Sequence, residues 1–151
     1  FSRPGNQVLA QYYQFMRLGK EGYKKVQQNC LNVCLYLKEQ LKKMGIFEFF
    51  SNDMPNPLFI WKLKDDPNRK WTLYDLSDAL HVEGWMPKAM EDVIIMRVVV
   101  RQGTGFDLAD LLMEDIKRCV NQLDALKEPT NSALMWAKKE PQKPRGFNHS
   151  R

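Results

Sequence analysis

One residue of this sequence stands where a charge is costly. Val93 to Val100 reads VIIMRVVV, an apolar run of β-forming residues with Arg97 at its centre. A strand alternates its side chains, so Arg97 shares a face with Ile95 and Val99 and opposes Ile94, Met96 and Val98. The apolar neighbours predict that both faces of the strand are largely covered. A guanidinium keeps its charge, and burying it alone costs several kcal/mol. It must therefore meet a carboxylate. That partner is either an acid of the chain itself, such as Glu83 or Asp92, or the carboxylate of a ligand gripped through two parallel hydrogen bonds. Spacing leaves both open.

Other reactive side chains are few. Cys30, Cys34 and Cys119 are odd in number and lack paired metal-ligand spacing, so no metal site is expected. Cys30 and Cys34 lie four residues apart and share a helix face, which suits packed thiols in a reducing, cytoplasmic setting. The histidines are His81 and His149.

The formal charge of +5 allows an anionic partner without demanding one. Basic residues are interleaved with acids except in the tail, residues 138–151. No apolar run reaches the length of a membrane span, and no signal segment opens the chain. The chain begins with Phe, in FSRPG, which suggests a fragment or a processed chain.

The elements that must position these residues follow from periodicity. Gln7 to Leu18 has apolar residues at helical steps, Gly19 interrupts, and a longer helix runs from about Glu21 to Lys43. Val26, Cys30, Val33, Leu37 and Leu41 make its buried stripe, and Gly45 stops it. Strands are expected at Ile46–Phe50 and Leu58–Lys64, then a helix capped by Thr72 with Asp75 as capping-box partner, running to about Val82 and stopped by Gly84. After the Arg97 strand, Asp107 is expected to cap a last long helix to about Leu126. Its inward residues would be Leu108, Leu111, Leu112, Ile116, Cys119, Val120 and Leu123. This order predicts an α+β fold, a short, mainly antiparallel sheet with helices on one face. Three parts are expected: a leading helix over 1–18, a small α+β domain over 19–128, and a basic extended tail over 129–151.

The opening FSRPGNQVLAQYYQFMRLGKEGYKKVQQN resembles the glutamate decarboxylases, pyridoxal-phosphate enzymes that convert glutamate to γ-aminobutyrate and carbon dioxide. Their pattern is matched at Phe1-Ser2-Arg3, Gln7 to Tyr13 and Arg17 to Tyr23. It recurs at Thr72 to Leu76, Gly84-Trp85, Met96-Arg97 and Gly146 to His149. The resemblance covers nearly the whole chain and corresponds to the family's C-terminal part. It implies the small domain of a fold-type-I pyridoxal-phosphate enzyme, working as a dimer-based homo-oligomer. It further implies that Arg97 holds the substrate α-carboxylate and Ser2 reaches a neighbouring subunit's cofactor phosphate. His149 would belong to a tail that crosses the active site at neutral pH. The family's Schiff-base lysine follows a histidine, but here His81 precedes Val82 and His149 precedes Ser150. No catalytic residue is therefore expected in this chain, and pyridoxal phosphate would be bound mainly by a missing large domain. The segment from Met86 to Asp92 is also shorter than in the family.

Two rival readings treat the chain as a non-catalytic binding module. Leu134-Met135-Trp136-Ala137-Lys138-Lys139 sets an aromatic anchor beside basic residues, but Pro129 and Pro141 bracket it too closely for a calmodulin-binding helix. An RNA-binding sheet would need exposed aromatics, with Phe47, Phe49, Trp61 and Trp71 as candidates. The family motifs and the tail prolines argue against a nucleic-acid partner.

Overall fold

The protein is described by a computed structural model covering residues 4–50, 56–85, 88–90 and 93–137. Helix α1 spans Asn6–Met44 and unites the two helices expected from the sequence. The break falls at Gly19, whose φ of 55° and ψ of −173° lie outside helical space and favour a residue without Cβ. Beyond the break, Cys30, Val33, Cys34, Leu37 and Leu41 are buried as one stripe. Gly45, at φ 77°, closes the helix with its N–H on the Lys42 carbonyl. Before the break, Val8, Leu9, Tyr12, Tyr13, Phe15 and Met16 are all more than 60% exposed.

Strands β1 (Phe47–Phe49) and β2 (Leu58–Leu63) lie within the two expected runs. After helix α2 (Leu73–Val82) come β3 (Lys88–Met90) and β4 (Val93–Val99), and the antiparallel sheet has the order β1-β2-β4-β3. Strand β3 falls in the segment read from sequence as a shortened loop. Its register with β4 shifts between Ala89 and Met90, so periodicity across so few residues carries no strand signal.

The helices cover one sheet face. Phe47, Phe59, Trp61, Met96 and Val100 point into that core and are buried. On the opposite face Leu58, Ile60 and Ile95 are only half-buried and Val99 is exposed. The expectation that β4 is covered on both faces is therefore corrected for the described residues. An apolar run cannot distinguish a face covered within the chain from one left for another polypeptide.

Thr72 precedes α2 in an extended conformation, and its N–H donates to Asp75 Oδ2 at 2.7 Å. Gly84, at φ 88°, ends the turn after α2, with its N–H on the His81 carbonyl and that of Trp85 on Leu80. Helix α3 runs Phe106–Asp124, and its cap is Gly105 rather than Asp107, which sits in the first turn. Its buried stripe is Ala109, Met113, Ile116 and Val120, with Asp115 and Cys119 beside it. Leu111, placed inward by the sequence reading, lies two positions from both Ala109 and Met113 and so faces away, 50% exposed. Leu108 is also exposed. The segment expected to extend from residue 129 instead begins with a short helix α4 (Asn131–Ala137), started by Thr130 Oγ1 accepting from the Ala133 N–H.

Candidate substrate-carboxylate site

Arg97 sits in the middle of β4, between Ile60 of β2 and Lys88 of β3 in register. Its side chain is exposed on the sheet face that the helices leave open. Arg97 is exposed, so burial does not oblige it to find a partner within the chain. Among the described residues no carboxylate pairs with it. Glu83, one of the two candidate partners, is held by Arg118 at 2.8 Å. Asp92, the other, lies outside the described residues. The geometry presents a permanent cation on an open, half-apolar sheet surface, which suits a carboxylate arriving from outside.

Behind that surface lies an apolar cavity of about 190 Å³ between the sheet and the helices. Trp61, Trp85, Met96, Leu112 and Ile116 line it, and Arg97 and Val98 bound it along β4. Trp61 is wholly buried, and its indole N–H is without a hydrogen-bond partner among the described residues. Trp85 Nε1–H donates to Asp115 Oδ2 at 2.7 Å, while Arg118 bridges Asp115 Oδ1 at 2.6 Å and Glu83. Asp115 escaped the sequence reading. Its signal was an acid set in the apolar stripe of α3, three residues after Leu112 and four before Cys119.

The three cysteines are free and buried. Desolvation pushes the Cys34 thiol up to about 12, against the opposing pull of Lys38, and raises Cys119 with help from Glu83. Such thiols are packing groups rather than nucleophiles. No group of His, Cys, Asp and Glu side chains among the described residues is arranged to hold a metal. Ser2 and His149 lie outside the described residues. His81 is exposed at the end of α2, followed by Val82 rather than a lysine. Of the aromatics offered to RNA, Phe47, Trp61 and Trp71 are buried in the core, so no aromatic stacking platform forms from them. No helix among the described residues is long and apolar enough to cross a membrane.

No family model matches the chain. Curated proteins do. The chain is 45% identical over 127 residues to a glutamate decarboxylase of Aliivibrio fischeri, covering 80% of this chain and 27% of that protein. It is 34% identical over 155 aligned positions to glutamate decarboxylase beta of Listeria monocytogenes, covering 99% of this chain and 32% of the relative. Among solved structures, a Lactobacillus brevis glutamate decarboxylase superposes with a TM-score of 0.77 at 34% identity, over 83% of this chain and 30% of that one. A Burkholderia pseudomallei sphingosine-1-phosphate lyase shares the fold, with a TM-score of 0.66 at 16% identity. The chain thus spans about a third or less of the length of these relatives.

Proposed function

We propose, for a chain homologous along nearly its whole length to one part of the glutamate decarboxylases, that it is the C-terminal, substrate-gripping portion of such an enzyme. The reaction is the conversion of L-glutamate to γ-aminobutyrate and carbon dioxide. Arg97 holds the α-carboxylate of glutamate by a bidentate, charge-assisted contact. The observation that carries this reading is Arg97 exposed on the uncovered face of β4, with no carboxylate partner among the described residues. Bound pyridoxal phosphate would supply the electron sink for the bond that breaks. The described residues do not fit that cofactor. Lys38 is buried with its ammonium 5.7 Å from the Phe49 ring centroid, and it does not line the cavity. In this reading the cofactor, the Schiff-base lysine and the dimer-based assembly are supplied by polypeptide beyond this chain. Three free, buried thiols favour a reducing, cytoplasmic setting.

The test is made in the full-length enzyme with its cofactor. Arg97→Met is expected to abolish glutamate turnover while folding and cofactor binding persist; turnover near the native level would remove the clamp. Ser2 as a cofactor-phosphate contact and His149 as a tail switch enter through family resemblance alone. The same panel carries Ser2→Ala, expected to weaken cofactor retention, and removal of residues 147–151, expected to extend activity toward neutral pH. Unchanged retention or an unchanged pH profile would discard each in turn.

A further inference from the structure

We infer that Asp115 is a positioning residue for Arg97, acting through the indole of Trp85. This rests on the carboxylate-clamp reading of Arg97 and adds to it a support beneath the strand that carries the clamp.

A carboxylate in the buried stripe of α3 is costly unless its oxygens are satisfied. Asp115 is 7% exposed, and both of its oxygens are engaged. One accepts from the Trp85 indole, the other from Arg118, whose guanidinium also holds Glu83. All of these contacts converge on Glu83-Gly84-Trp85, the turn that leaves α2. A solvent-facing ion pair alone would stabilise little. The partly buried indole contact has a more specific effect.

The Trp85 ring lines the cavity under β4 together with Met96, Leu112 and Ile116, and the cavity also touches Arg97 and Val98. Trp85 packs against the core but borders this cavity, so packing constrains only part of its ring. The hydrogen bond to Asp115 supplies the missing constraint. Three residues after Trp85 the chain reaches Lys88, the cross-strand partner of Arg97. Asp115 consequently ties α3 to the layer beneath β4, the strand that carries Arg97. A bidentate contact tolerates little displacement, so movement of the strand weakens substrate binding.

The experiment uses the full-length enzyme with its cofactor, measuring KM and kcat for glutamate alongside Arg97→Met. Trp85→Phe keeps a ring in place but removes the N–H. It is expected to raise KM about tenfold with kcat within about twofold. Asp115→Leu should raise KM at least as much, whereas Asp115→Asn, which keeps one acceptor, should give a smaller rise. If Arg97→Met abolishes turnover while Trp85→Phe has native KM, the positioning role is overturned and the clamp stands. If Arg97→Met turns over glutamate normally, the clamp itself fails. Should Asp115→Leu not fold, Trp85→Phe decides. Equal losses in kcat and cofactor absorbance in Trp85→Phe, with native KM, would also overturn the inference.

Discussion

Arg97 and Asp115 are both charges set in apolar segments, and the side of the sheet decides what each one does. Arg97 was legible because a guanidinium interrupting a β-forming run has few reasons to be there. Its exposure was not legible, since alternation divides a strand into two faces without saying which one the helices cover. Asp115 faces the core and is satisfied by groups 30 residues away and three residues away along the chain. Sequence spacing reveals the second contact and conceals the first. The cysteines were read correctly as packed thiols, and their burial has a consequence for stability. Cys34 is raised from 9.0 in the unfolded chain to about 12 by desolvation. The folded state therefore keeps a proton that the unfolded state releases, so stability is full below about pH 9 and declines as pH rises toward 12. In the expressed chain, the thermal midpoint should fall more steeply between these values in the native sequence than in Cys34→Ala. Tyr36, raised chiefly by its hydrogen bond to Asp110, titrates in both proteins and drops out of the comparison. Identical slopes would contradict the assignment.

At the scale of elements, local signals did well where the partners were local. The Thr72–Asp75 pair opens α2 as its spacing requires, and Gly19, Gly45 and Gly84 stand at positive φ where the chain turns or breaks. What no local signal shows is that Asp75 Oδ2 also accepts from Thr130 Oγ1 at 2.9 Å, joining α2 to the start of α4. With the N–H and hydroxyl of Thr72 at 2.7 and 2.8 Å, one carboxylate oxygen gathers three donors. Asp75→Ala is expected to cost about 2 kcal/mol, from the lost cap and from leaving partly buried donors unpaired. Urea denaturation of the two proteins measures it, and a difference below about 0.5 kcal/mol would place the stability of α2 elsewhere. Helix α3 shows the reverse case: its apolar residues are numerous enough to fit more than one stripe, and packing against α1 and α2 selected one.

At the scale of the molecule, the described residues leave two apolar surfaces without cover among themselves. The first half of α1 exposes Tyr12, Phe15 and Met16 beside Val8 and Leu9, and the sheet exposes the face that carries Arg97. Apolar surface of this extent marks a place where another polypeptide packs. In the proposed enzyme that polypeptide would be a further part of the decarboxylase, since this chain matches 27–32% of the curated relatives' length. Expressed alone, the chain should self-associate and bind a hydrophobic dye. Replacing Tyr12, Phe15 and Met16 together by Ser should lower both, as read by sedimentation and dye fluorescence. A native chain that is monomeric and silent to the dye would show that these surfaces are not interfaces.

By itself the sequence determined the α+β class, the second-half stripe of α1, the strand bearing Arg97 and the family likeness, because each follows from periodicity or motif within a short span. Only the tertiary structure decided that Arg97 faces outward, that Trp85 and Asp115 meet beneath it, and that a third edge of pairing exists at Lys88–Met90. The reason is physical: alternation and helical period fix which side chains share a face, whereas what lies opposite that face is set by residues distant in the chain.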